Sequence, residues 1–311
     1  MAEGLHSGLA PGSDGSPRGR SGYACPMQPL PPLPVGISPR VDCVFRKLLA
    51  DPGHTDRLVN FLNAVLQRSS PVVGVQVRSP VQIVDRVEEG QVTVDVVATD
   101  AAGEIFQVEM QTWNHTALRE RMLYAWAALY KGQLDRGEKY HQLRPVVAIW
   151  MVNKNVFREA TALHHRFRVR DEAGTLELSA HFEVHVLELD RWRDDPEMSL
   201  PDALLGWVRF FTEAEGWSEI PHEIDNPALE SAMAVLIEFQ NNAALNDLYR
   251  SRLDYIRTQN TMEADREEAV AAKEEALAAK EEALVLAKQE RAARERLEAR
   301  LRALGLDPDA E

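Results

Sequence analysis

Asp95, Glu109 and Gln111 are the residues whose types and spacing could do chemistry. They lie in QVTVDVVATDAAGEIFQVEMQ, residues 91–111, where two alternating apolar/polar runs flank the turn-forming TDAAG. The pattern predicts a β-hairpin. Opposed residues of an antiparallel pair have position numbers with a constant sum. A turn centred on Ala102 sets that sum at 204, which places Asp95 opposite Glu109, Val97 opposite Gln107 and Thr93 opposite Gln111. With a side-chain period of two, Asp95, Glu109 and Gln111 share a face. Opposed carboxylates, with Cβ atoms about 4.5–5.5 Å apart, repel one another, and a cation between them would relieve this. The other reading is a solvated face without chemistry, and a one-residue change of register separates the pair. Spacing alone admits both.

The elements that must position these residues follow from the rest of the chain. VDCVFRKLLADPGHTDRLVNFLNAVL predicts a short helix over 38–49, a break at Asp51-Pro52-Gly53, and a second helix from Thr55 or Asp56. Phe45 reads as a core anchor, and Leu58, Leu62, Val65 and Leu66 as a buried stripe. VVGVQVR and PVQIVDRVE read as strands leading to the hairpin. A helix over 117–134 puts Met122, Leu123, Trp126, Leu129, Tyr130 and Leu134 on an arc facing the sheet. Gln133 falls inside that arc and needs a polar partner, either nearby backbone or the site. Arg121 and Lys131 fall on the other side, where they could meet phosphates or water. PVVAIWMV, with core residues Trp150 and Met151, predicts a buried strand and completes a βαβ crossover. HHRFRVR at 164–170 fits either an edge strand or a nucleic-acid contact. FEVHVLEL at 182–189 is a further strand, with Glu183 and His185 on one face and the lone histidine read as structural.

VDV, VEMQ and RMLYAWAALYKGQLDRGEKYHQLRPVVAIWMV, with the upstream VDCVFRKLLADPGHTDRLVNFLNAVL, together resemble the recombination-promoting nuclease and transposase family of the PD-(D/E)XK nuclease superfamily, over roughly residues 38–255. No single motif carries the likeness. The resemblance implies an α/β (α+β) restriction-endonuclease-like core with αβββαβ order, followed by C-terminal helices. It implies a DNA endonuclease in which Asp95 and Glu109 hold a divalent cation, with the Met110 carbonyl as third ligand, Gln111 as the remaining catalytic residue and Asp42 as an outer-shell residue. All-oxygen ligation favours Mg²⁺ or Mn²⁺ over zinc. The matching glutamine of the family gives Gln133 a site-facing role; Arg121 and Lys131 are DNA-binding candidates from their place on the helix alone. Two positions depart from the superfamily pattern: Val94 stands for a proline and Gln111 for a lysine. An amide orients water and bonds a phosphate oxygen, yet brings no charge and cannot act as a base, so turnover is expected to be slow.

The chain has 311 residues and a formal net charge of −14, which excludes a uniformly basic nucleic-acid coat. Residues 111–170 nevertheless hold 11 Lys and Arg against 4 Asp and Glu, directly after the candidate site. Two cysteines, Cys25 and Cys43, argue against a disulfide framework and fit a reducing cytoplasm. No 18-residue apolar run predicts a membrane span. Residues 1–37 read as a disordered Pro/Gly/Ser-rich leader, 38–200 as the core, 201–260 as a helical extension and 261–311 as a long charged helix. Helices are expected at 201–214, packed by Trp207 and Phe210, and at 226–258. In the last segment Val270, Leu277 and Leu284 recur every seven residues before Arg291 interrupts the seam, so a weak homo-oligomeric coiled coil and a solitary solvated helix both fit. Besides the nuclease, the chain could be a catalytically silent nuclease-fold scaffold acting in DNA or protein binding through that helix. A small-molecule enzyme lacks its signatures: there is no phosphate-binding glycine loop, nucleophile elbow or dinucleotide fingerprint.

Overall fold

The computed structural model describes residues 33–78, 82–83, 92–93, 95–112 and 117–303. The expected leader falls mostly outside this set, but 34–37 do not behave as leader. Val35 and Ile37 are buried, and the Val35 and Gly36 N–H groups donate to the carbonyls of Trp217 and Glu215 at 2.8 and 2.9 Å. Alternating apolar residues with paired backbone can repay their ordering.

Helix α1 (Asp42–Leu49) and helix α2 (Thr55–Leu66) come first, with Phe45, Leu58, Leu62, Val65 and Leu66 buried as the apolar spacing predicts. A six-stranded sheet follows, made of β1 (Gln76–Arg78), β4 (Val96–Thr99), β5 (Ile105–Gln111), β6 (Val146–Val152), β7 (His164–Phe167) and β8 (Phe182–Glu188), in the order β1-β4-β5-β6-β8-β7. Strands β5, β6 and β8 run parallel, and the other neighbours pair antiparallel. Helix α3 (Leu118–Lys131) makes the β5-to-β6 crossover. The result is a mixed α+β fold of the kind expected for a PD-(D/E)XK nuclease.

The hairpin register has the constant sum of 204, with Val96 opposite Val108 and Val97 opposite Gln107. Its turn is built by Asp100, whose Oδ1 accepts from the Ala102 and Glu104 N–H groups at 2.9 Å each. Gly103 takes φ +84°, a left-handed conformation that glycine adopts without steric cost. The first strand is not continuous, however. The chain bends at Asp95, and β3 (Val92–Thr93) leaves the main sheet to pair with β2 (Gln82–Ile83), so Thr93 faces Gln82 rather than Gln111. The remainder of the predicted PVQIVDRVE strand and Val94 lie outside the described residues.

One sheet face, including Phe106, Val108, Val147 and Ile149, packs on α1, α2, α5 (Asp202–Glu213) and α6 (Pro227–Asn241), where Phe61, Trp207, Phe210 and Phe239 are buried. On the other face α3 lays Met122 and Ala125 on Trp150 and Val186, and Leu129 on Val97 and Val146. Leu123, expected on that arc, is instead exposed, because α3 leaves the β7–β8 side of the sheet partly uncovered. Segment 164–170 supplies the edge strand. Glu183 and His185 share a face, as expected, but the histidine is not alone: it lies 2.7 Å from Glu183 and 2.8 Å from His164. After the short α4 (Asp190–Asp194), the helix expected over 226–258 is broken at Asn242, whose side chain accepts from the Ala244 and Leu245 N–H groups and so starts a new helix. That helix, α7 (Ala243–Ala303), runs through residue 260 without interruption. Tyr249, Leu253 and Ile256 pack against the body, whereas Val270, Leu277 and Leu284 are about half exposed. The boundary near 260 is thus a change of packing rather than of secondary structure.

Candidate functional site

The bend at Asp95 and the buried strand β5 bring the hairpin carboxylates together. The Asp95 N–H donates to Glu109 Oε1 at 3.3 Å, and Asp95 Oδ2 accepts from the Met110 N–H at 3.1 Å. Glu109 is 3% exposed, and Gln107 and Gln111 on the same face of β5 are equally enclosed. Together they make a polar row on an otherwise apolar strand. Gln107 Nε2 donates to Glu109 Oε1 at 3.3 Å, while its own Oε1 is buried without a partner.

A cavity of about 340 Å³ opens over Glu109 and Gln111, lined by Asp42, Arg46, Asp95, Met110 and Arg121 among others. Tyr255 and Ile256 of α7 also line it. Arg46, on α1, places Nη2 3.0 Å and Nε 3.2 Å from Asp95 Oδ1. Arg121, near the start of α3, donates to Gln111 Oε1 at 3.0 Å with its guanidinium 5.8 Å from the centre of the Trp150 ring. Asp42 lies one turn before Arg46, with Oδ2 3.7 Å from Arg252 and Oδ1 buried and unpartnered.

Burial, then the charge of Asp95, pushes the Glu109 carboxyl up to about 8. Burial also raises Asp95, opposed by the Met110 N–H and by Arg46. Two carboxylates that resist ionising together form a centre that calls for positive charge. Among the described residues no group of three or more His, Cys, Asp or Glu has the arrangement of a metal centre. The donor set is a carboxylate pair with the unpartnered Asp42 oxygen beside it, and a hard oxygen-seeking divalent cation fits this chemistry better than zinc.

Two of the predicted DNA-binding residues lie away from the cavity. Gln133 uses both amide atoms on the Arg144 backbone, accepting its N–H at 2.8 Å and donating to its carbonyl at 3.0 Å. It ties the α3–β6 connection, so the backbone partner wins over a site-facing role. Lys131 is exposed at the far end of α3, roughly 15 Å along the axis from Arg121 at 1.5 Å per residue. Sequence reasoning passed over Arg46 and Gln107. Gln107 was legible as the first of three polar residues at period two on a buried strand, whereas the reach of Arg46 to Asp95 depends on how α1 lies over the sheet.

The sequence model described as PD-(D/E)XK nuclease family transposase matches residues 39–265. No curated protein and no solved structure matches the chain.

Proposed function

We propose, from the premise that this chain belongs to the PD-(D/E)XK nuclease transposase family, that it is a metal-dependent DNA endonuclease hydrolysing phosphodiester bonds. The observation that carries the reading is the approach of Asp95 to Glu109, whose Oε1 accepts from the Asp95 N–H at 3.3 Å, at a cavity flanked by Arg46 and Arg121. Asp95 and Glu109 would hold Mg²⁺ or Mn²⁺ with the Met110 carbonyl, and Asp42 would act from the outer shell. When bound, such a cation lowers the pKa of a coordinated water and neutralises charge on the scissile phosphate. Gln111, its amide oxygen held by Arg121, orients groups by hydrogen bonding but takes no proton. Arg121 sits where its guanidinium can approach a phosphate. Lacking a charged lysine at position 111, the site should turn over slowly. Among the described residues no helix is long and apolar enough to cross a membrane, and the low cysteine count fits work in the cytoplasm.

Incubation of the purified chain with supercoiled plasmid, with and without Mg²⁺ or Mn²⁺, tests this. Nicking should require the cation and vanish in Asp95→Ala. Cation-independent nicking, or nicking retained by that variant, would refute the reading.

The second half of α7 forms a separable part. Its seam of Val270, Leu277 and Leu284 is narrow, so self-association through it should be weak and concentration-dependent. Deleting 262–311 keeps Tyr255 and Ile256 at the cavity and should leave the core folded and cation-dependent nicking largely intact. A truncated protein that sediments as before and has lost cooperative unfolding would contradict this boundary. Loss of a partner on truncation, with nicking never present, would favour the scaffold alternative.

A further inference from the structure

Both oxygens of Asp95 are engaged: Oδ2 by the Met110 N–H, Oδ1 by two nitrogens of Arg46. The two partners differ in freedom. The Met110 N–H belongs to the central strand β5 and cannot move without disturbing the sheet. Arg46 projects from the surface of α1 with a side chain 35% exposed, against 9% for Asp95. Its guanidinium borders the catalytic cavity and also a second cavity of about 380 Å³, which Lys47, Arg78 and Asp95 line as well. Arg78 is exposed and has no ion-pair partner among the described residues. Lys47 is paired with Glu238 and Asp51 lines the same cavity, so Arg46 stands between the carboxylate pair and a mixed-charge cavity to which Arg78 brings a cation without an ion-pair partner among the described residues.

A buried carboxylate is costly without a counter-charge, and here Arg46 supplies one. A divalent cation at Asp95 supplies the same charge more strongly, and two cations crowded on Oδ1 repel each other. The displaced guanidinium has a natural next partner in a phosphate, whose oxygens match its planar fork. Resting on the nuclease reading above, we infer that Arg46 is a positioning residue that holds Asp95 until the divalent cation arrives and then turns to the DNA backbone. Cation and guanidinium alternate on one carboxylate oxygen, so metal binding primes the protein for DNA.

Mn²⁺ titration of the full chain without DNA, followed calorimetrically, tests the exchange. Arg46→Ala should bind Mn²⁺ about tenfold more tightly than the wild type, since a charge-assisted hydrogen bond no longer competes. Arg46→Lys should fall between them, and Asp95→Ala should lose the binding. In the presence of Ca²⁺, binding of a labelled duplex should weaken about tenfold in Arg46→Ala, because one phosphate contact is gone. Arg46→Gln carries the same expectations should the alanine variant fold poorly by circular dichroism. Unchanged or weaker Mn²⁺ affinity in Arg46→Ala, with Asp95-dependent binding intact, overturns the exchange and leaves the nuclease site standing. Unchanged duplex affinity overturns the turn towards DNA. Absence of Asp95-dependent Mn²⁺ binding in the wild type overturns the site itself and this inference with it.

Discussion

Replacing Glu109 by alanine should reduce cation-dependent plasmid nicking by at least about 10³-fold, the scale expected when a metal-supported hydrolysis loses a ligand carboxylate. The structural cost should be modest by comparison. Glu109 is nearly fully buried, but its contacts are polar: it accepts from Gln107 Nε2 and from the Asp95 N–H. Truncation removes the acceptor for those two donors, a penalty of about 1–3 kcal/mol each if no water replaces it. Where Glu109 has given up its proton, truncation also removes a charge that burial and Asp95 both oppose, which offsets part of that penalty. The variant should therefore fold, with a circular dichroism spectrum matching the wild type and a transition shifted by only a few degrees. Nicking at wild-type rate, in a preparation whose Asp95→Ala counterpart is also active, would assign the cleavage to a contaminant or another site. A variant inactive because it is unfolded would show itself in the spectrum, and Glu109→Gln, which keeps an acceptor oxygen in place, then carries the same expectation.

The geometry of the candidate site was legible because its core is local. Glu109 and Gln111 lie on one strand of a hairpin with a five-residue turn and Asp95 immediately precedes the other, and the register of such a hairpin follows from where the turn is centred. The same locality made the buried strands over 146–152 and 182–188 readable as apolar runs. What the sequence concealed depends on contacts between distant segments. Whether Arg46 reaches Asp95 is decided by how α1 lies over the sheet, and no spacing within residues 42–49 encodes that. The exposed Leu123 is a case of the same kind. Its place on the helix wheel is apolar, but the sheet beneath it lacks a covering layer. Gln133 shows the reverse: an amide near a helix end finds backbone at Arg144 without needing the site. The break at Asn242 was available in principle, since an asparagine can cap a following helix, although the surrounding helix-forming residues mask it.

Without a divalent cation, the protein should lose stability as pH rises from 6.5 to 8, and Glu109→Gln should abolish most of that loss. Glu109 holds its proton up to about 8 in the folded chain, whereas its ordinary value is 4.5. Between those values the folded state binds a proton that the unfolded state has released, so stability falls with rising pH. Two other buried groups, His164 and Glu183, act lower on the scale. His164 is lowered to about 4 from 6.5 by burial and by His185, so its effect is a gain of stability as pH rises from about 4 through 6.5, and the small remainder above 6.5 is common to wild type and Glu109→Gln. Glu183 sits at about 2, held down by His185 and by Arg166 and Arg68 against its own burial, and its stabilising effect is lost only as pH falls below 4.5. The interval from 6.5 to 8 therefore isolates Glu109 from both. One proton across 1.5 pH units corresponds to about 2 kcal/mol at 1.36 kcal/mol per unit. Urea unfolding in EDTA at several pH values measures it directly. With Mg²⁺ present the dependence should reverse, because the cation binds the ionised pair and stabilises the fold more as Glu109 gives up its proton. Parallel stability profiles for wild type and Glu109→Gln between pH 6.5 and 8 would show that the Glu109 carboxyl is already ionised in the folded protein, and the carboxylate pair would then need no cation to hold it together.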